Sequence, residues 1–356
     1  MSPRGDSYYW EGLNKGKKSI AVDFARPEGR QLVADLITAP GADAGILVTN
    51  FPQDGFLAHE PLARKRPDLI SVRVMGWRDG GPGVDYTVNA ALGIPYMTGG
   101  EENGDSPVNH VLPAWDLLTG AYAAFATLAA ERDRLRTGRG HEVTLALSDV
   151  ALAALGNTGQ IGEVLTTGDR PRYGNALFGA FGRDFMTADD ERVMVVAITP
   201  RQWIGLVAAL SLEEPIAQLE SQLGVSFARD EGQRFIHRDA LFPLIERAIA
   251  GRPLEQVGQK FATHGVCWSL YSTLGQSLQA DPRLSLATAM FEEMQHPSGA
   301  RYPAPGAAAS FAGLSRDPGA PAPRLGEHTE EVLGRLLGFD SSRVRALCDS
   351  GLVAAS

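Results

Sequence analysis

Along the first half of the chain, short aliphatic or β-branched runs alternate with longer amphipathic ones, the pattern of a parallel sheet covered by helices. Residues 19–23, 44–49 and 69–74 read as strands, each an apolar run bounded by turn formers. A helix is predicted to open at Pro27 and to run through Ile37, because proline in the first turn gives up an N–H that has no intrahelical partner. Asn50-Phe51-Pro52 breaks the second strand, since the residue before a proline is pushed out of helix. The glycine-rich stretch 76–83 after the third strand must be a loop, and loops at strand ends are where α/β folds place ligands.

From Asp116 to Glu131 the residues are mostly small and apolar, as a helix buried on several sides requires. Thr137-Gly-Arg-Gly ends it, and residues 142–147 form another strand leading into a helix from Asp149. Character changes near residue 170, where 192–198 begins a stretch of α+β pattern with its own helices through about residue 262. This predicts an α/β chain with a large domain begun by 1–169, a smaller domain at 170–265, and a return to the large domain over 266–356. Residues 296–323, rich in Pro, Gly and Ala, read as an extended surface connection, and 329–337 as a last amphipathic helix.

The 356 residues carry 44% hydrophobic and 21% charged side chains, ordinary globular usage with ample core material. A net charge of -9 argues against a nucleic-acid partner, although a local basic cluster can still hold a small polyphosphate. The two cysteines, Cys267 and Cys348, have no metal-ligand or CxxC spacing, so neither a disulfide framework nor a metal site is expected. No apolar run approaches the ~18 residues that span a membrane, and a cytoplasmic protein is expected.

Four places could carry chemistry. Asp116, just before an apolar helix, reads first as an N-cap, and the same helix end would hold a nucleophilic carboxylate in its ionised form. Lys15, Lys17 and Lys18 form a basic cluster that is either a solvated turn or a phosphate contact. Asn50 and Phe51, at a strand end, could offer an amide and a stacking ring to a nucleotide, or simply make the turn. His110 lies six residues before Asp116 and is either a structural histidine or a group bordering an acyl pocket. No P-loop, dinucleotide fingerprint, GxSxG or HExxH element is present.

Six stretches, in order, carry a resemblance to a known family: LNKGKKSI at 13–20, TNFP at 49–52, DYTVN at 85–89, AWDLLTG at 114–120, RTGRG at 136–140 and PRLGEHT at 323–329. Together they resemble the family III (CaiB/BaiF type) CoA-transferases. The resemblance implies a Rossmann-like large domain with an inserted smaller α+β domain, and a homodimer whose chains interlock like links. It implies that Asp116 is the nucleophile, that Val22, Asn50, Phe51 and Asp85 line the CoA site, and that no cofactor is needed beyond the CoA of the substrate. DGGPGVDYTVN at 79–89, NHVLPAWD at 109–116 and GAFGRDF at 179–185 narrow the likeness to a branch acting within one CoA thioester of a C5 unsaturated dicarboxylic acid. An intermolecular transferase between dicarboxylic acids, and a CoA-binding relative without activity, are the alternatives. Members usually carry a strand–helix unit with a CoA-contacting arginine ahead of the LNKGKK motif, so that part of the site is expected either upstream of Met1 or missing. A racemase branch places histidine where Val84 stands, and valine offers no acid or base.

Overall fold

A three-stranded parallel sheet forms where the aliphatic runs predict it. The computed structural model describes residues 5–315 and 319–355. Its strands are β1 (Ala21–Val22), β2 (Ile46–Thr49), β3 (Ile70–Met75), β4 (His141–Ala146), β5 (Phe181–Met186), β6 (Arg192–Ala197), β7 (Cys267–Leu270), β8 (Phe291–Gln295), β9 (Arg301–Pro305) and β10 (Val353–Ala354). Two compact units are present, one of residues Met1–Val88, Pro113–Ala154 and Asp281–Ser356, the other of Asn89–Leu112 and Leu155–Ala280.

In the first unit β2, β3 and β4 pair in parallel in that order, with Ile46 opposite Ile70 and Ile70 opposite His141. Alternation along β3 divides the packing. Ile70 and Val72, with Val74, meet Ala123 and Ala130 of the Ala114–Thr137 helix. Leu69 packs against Ala34 and Leu62, which belong to the Pro27–Ile37 and His59–Lys65 helices. The sheet thus has helices on both faces, the arrangement a parallel sheet needs to bury its strands.

The RTGRG stretch has a mechanical explanation. Gly138 ends the Ala114–Thr137 helix in the left-handed conformation at φ 70, and its N–H donates to the Arg134 carbonyl. Gly140 runs against β3 so closely that a Cβ there would lie 2.0 Å from the Leu69 carbonyl oxygen. Segments from early and late in the sequence also meet: β1 and β10 pair antiparallel, and Leu32, Leu333, Val344 and Val353 share a core.

The second unit holds the antiparallel sheet β5-β6-β7. Phe181, Phe185, Trp203, Leu206, Leu241 and Phe261 are among the side chains of its core. Thr199 and Gln202 form a capping box at the start of the Pro200–Leu210 helix.

Three strand limits differ from the sequence reading by a few residues: the run at 19–23 contributes only Ala21 and Val22 to a ladder, and β2 and β3 each start late. The predicted extended connection at 296–323 is corrected in its first part. Arg301–Pro305 pairs antiparallel with Phe291–Gln295, stabilised by the Glu11 carboxylate, which accepts from the Ser298 N–H at 2.8 Å and the Tyr302 hydroxyl at 2.7 Å. Residues 316–318 of that segment lie outside the described residues. Among the described residues no helix is long and apolar enough to cross a membrane.

Because Gly140 has no room for a methyl group, Gly140→Ala is expected to lower stability by about 1–3 kcal/mol. Urea denaturation measures this, and an unchanged midpoint would show that β3 and β4 are not held at this distance.

Candidate active site

The Ala114–Thr137 helix begins badly on its own terms. Its N-cap is Pro113, whose side chain can accept nothing, and the first-turn N–H groups of any helix lack intrahelical partners. Asp85 supplies them. Its Oδ2 accepts from the Trp115 N–H at 2.7 Å and from the Asp116 N–H at 3.2 Å, across 30 positions of sequence. Asp85 is the first residue of the Asp85–Ala91 helix and is only 2% exposed. Thr87 fixes the turn before it, accepting from the Val84 N–H at 3.0 Å and donating to the Val84 carbonyl at 2.9 Å.

This corrects the N-cap reading of Asp116. Asp116 is the third residue of the helix, its backbone is capped by Asp85, and its own carboxylate makes no hydrogen bond among the described residues. Electrostatics are corrected too. Burial first, and the Asp85 charge second, push the Asp116 carboxyl above its ordinary value, where the helix end alone would have lowered it. The side chain remains open to solvent, and screening there limits the effect. A carboxylate with its charge destabilised and its oxygens uncommitted is a better nucleophile than one locked in a cap. Asp85 Oδ1 and, one turn beyond Asp116, Thr119 Oγ1 are buried without partners among the described residues. Buried polar atoms in that state call for a functional or solvent partner.

Elsewhere in the same unit, Val22 and Phe51 line one cavity of about 760 Å³, together with Phe24, Phe56, Leu325 and Leu352. Phe24 lies 5.8 Å from Phe51 and 6.0 Å from Phe56, ring centre to ring centre, in a cluster at the carboxyl end of β2. Its lining is aromatic at these three rings and aliphatic at Val22, Leu325 and Leu352, which suits a planar base with an apolar edge. Asn50 is exposed and does not line this cavity, and Asp85 serves the helix end. Of the basic cluster, Lys18 pairs with Glu331, Lys17 donates to Asn14 Oδ1 at 3.0 Å and Lys15 to the Gly12 carbonyl.

Known proteins resemble the chain over most of its length. The model of CoA-transferase family III matches residues 1–329. The chain belongs to that family. It is 47% identical to the 2-methylfumaryl-CoA isomerase of Chloroflexus aurantiacus over 98% of this chain and 85% of that protein. It is 25% identical to the human succinyl-CoA:glutarate CoA-transferase over 98% of this chain and 78% of that one. A CAIB/BAIF family protein from Brucella suis shares the fold with a TM-score of 0.70 at 25% identity, over 93% of this chain and 84% of that one.

For a family III CoA-transferase, His110 is less available than its position in sequence suggests. In the second unit, its Nε2 lies 3.0 Å from Asn89 Oδ1 and its Nδ1 2.5 Å from the Leu112 carbonyl, two acceptor oxygens of which a neutral ring donates to one. In the glycine-rich loop the Gly80 and Gly81 N–H groups are used within the turn, by the Trp77 carbonyl and by Asp79 Oδ1. They are therefore not free for an oxyanion. One role and one residue escaped the sequence reading. The capping role of Asp85 joins residues 30 positions apart and leaves no local pattern, whereas Arg73, a charge inside the aliphatic run of β3, was a visible signal.

A carboxylate nucleophile at Asp116 would act in its ionised form, present above its pKa and lost as pH falls through it. The acid limb of kcat/KM should therefore lie above the usual aspartate range, and Asp85→Asn should move it downward by removing the repelling charge while leaving an amide oxygen to cap the helix. A pH–rate profile that does not move, in a variant of unchanged circular dichroism, would exclude this coupling.

Proposed function

We propose that the chain is an intramolecular CoA-transferase that interconverts 2-methylfumaryl-CoA and 3-methylfumaryl-CoA in the 3-hydroxypropionate cycle. The observation that carries the chemistry is the uncommitted carboxylate of Asp116 at a helix start capped by another residue. The substrate assignment is supported by 47% identity to a relative named for that isomerisation.

In this mechanism an Asp116 oxygen attacks the thioester carbonyl, the C–S bond breaks, and a mixed anhydride and CoA thiolate result. The thiolate then attacks the aspartyl carbonyl and breaks the anhydride, leaving an enzyme thioester and a free substrate carboxylate. The other carboxylate of the same diacid attacks that thioester and expels the thiolate, forming a second mixed anhydride. Attack of the thiolate on the acyl carbon of the substrate gives the isomeric thioester and restores the Asp116 carboxylate. No proton or electron is gained or lost overall, and neither metal nor redox cofactor enters the scheme. The cavity at Phe24, Phe51 and Phe56 would receive the nucleotide end of CoA. Val84 stays a bystander, and His110 acts by holding the loop that leads into the 114–137 helix.

The inserted small domain and the interlocked homodimer belong to the same proposal. Along the Ala114–Thr137 helix, Phe125, Leu128 and Leu135 are 72%, 64% and 81% exposed, an apolar row that a second copy of the chain would cover. An exchange between separate acids is the second reading, favoured by the likeness to the human succinyl-CoA:glutarate enzyme.

Incubating 2-methylfumaryl-CoA alone separates the two: isomerisation without any added acid is expected, and a strict requirement for an acceptor would overturn the intramolecular scheme. Asp116→Asn should lower kcat by about 10³-fold or more, as loss of a nucleophile does, with thermal stability no lower than wild type because the cap from Asp85 persists. Phe125→Glu with Leu128→Glu should yield monomers in sedimentation, and an unchanged dimer would place the interface elsewhere.

A further inference from the structure

A buried arginine in the central strand of a parallel sheet is unusual enough to need a reason. Arg73 stands in β3, pairs in register with Thr49 of β2 and Thr144 of β4, and is 1% exposed. Its neighbours Val72 and Val74 face the Ala114–Thr137 helix, so by strand alternation Arg73 and Ser71 point to the opposite face. There Arg73 Nη1 donates to the carbonyls of Phe51 and, at 2.6 Å, Pro52, while Nη2 donates to the Leu57 carbonyl at 2.9 Å. Two positions along the same face, Ser71 Oγ lies 2.9 Å from His59 Nδ1. The whole connection from β2 to the His59–Lys65 helix is thus pinned from beneath by two side chains of one strand.

No ion pair among the described residues joins Arg73 to an acid, and its Nε has no hydrogen-bond partner among them. A charge-only role would be served by a carboxylate nearby. What Arg73 has instead is a set of carbonyls at both ends of the loop, which suits a planar fork with several fixed donors and not a point charge. Burying an arginine this way is expensive unless the loop it orders matters. That loop carries Phe51 and Phe56, two of the three rings of the aromatic cluster on the 760 Å³ cavity.

We propose that Arg73 is a positioning residue for the CoA thioester: its guanidinium fixes the 51–57 loop so that Phe51 and Phe56 form a preorganised wall for the nucleotide end of CoA. The inference rests on the reading of that cavity as the CoA site. Arg73 touches neither the reacting atoms nor Asp116 among the contacts above, so its effect falls on binding and not on the chemical step. Preorganisation of this kind lowers the ordering cost of the ligand complex.

The test compares wild type, Arg73→Lys, Arg73→Met and Phe51→Ala, each checked for native circular dichroism, by calorimetry with CoA itself and by steady-state kinetics. Arg73→Lys keeps the charge and folds most readily, but cannot reach all three carbonyls with fixed geometry. Both Arg73 variants should weaken CoA binding and raise KM by about tenfold, while kcat falls less than twofold, the signature of lost uniform binding. Wild-type affinity in Arg73→Lys would overturn the proposal, since the fork would then be dispensable. A fall in kcat with unchanged KM would overturn it as well. Phe51→Ala distinguishes the two levels: if it leaves CoA affinity unchanged, the cavity is not the CoA site, whereas a weakened Phe51→Ala beside wild-type Arg73 variants refutes the role of Arg73 alone.

Discussion

One hydrogen-bonded contact organises the candidate active site: a buried carboxylate, Asp85, caps a helix that it does not belong to. Pro113 removes the ordinary solution to the first-turn N–H groups, and Asp85 replaces it from the start of a different helix. Two consequences follow from that single exchange. The carboxylate of Asp116 is released from structural duty, and it is placed beside a like charge that disfavours its ionised form. Both suit the role of a carboxylate nucleophile.

The sheet supplies the rest of the geometry by alternation. On β3 the odd and even residues serve different purposes, Ile70 and Val72 seating the helix that carries Asp116, Ser71 and Arg73 holding the loop that carries Phe51. A strand buried on both faces can therefore orient the helix that carries Asp116 and the loop that carries Phe51 together. Gly138 and Gly140 complete this by returning the chain to β4 at a spacing that only glycine permits.

How much of this the sequence disclosed depends on the range of the interaction. Strands β2, β3 and β4 were legible because each is a short run rich in aliphatic residues, and the helices at 27–37 and 329–337 because a first-turn proline and an amphipathic pattern mark them. Strand β9 was not, since its sequence RYPAP carries two prolines and its pairing comes from β8 and from Glu11 far away. At the site, the family motifs singled out Asp116, Val22, Asn50, Phe51 and Asp85, and the fold brings Val22 and Phe51 to one cavity. What pattern alone misassigned was the cap, expected of Asp116 and performed by Asp85. Capping across 30 residues has no local spacing to read.

The claim on which the account stands is a covalent bond between CoA and Asp116. Reducing the enzyme with borohydride during turnover of 2-methylfumaryl-CoA should convert the carboxyl of one residue to a primary alcohol, found by mass spectrometry in the peptide that contains Ala114-Trp115-Asp116. Modification confined to Asp116, dependent on substrate, is the predicted result. A label on Asp85 or any other carboxylate, or none at all while the enzyme turns over, would contradict it.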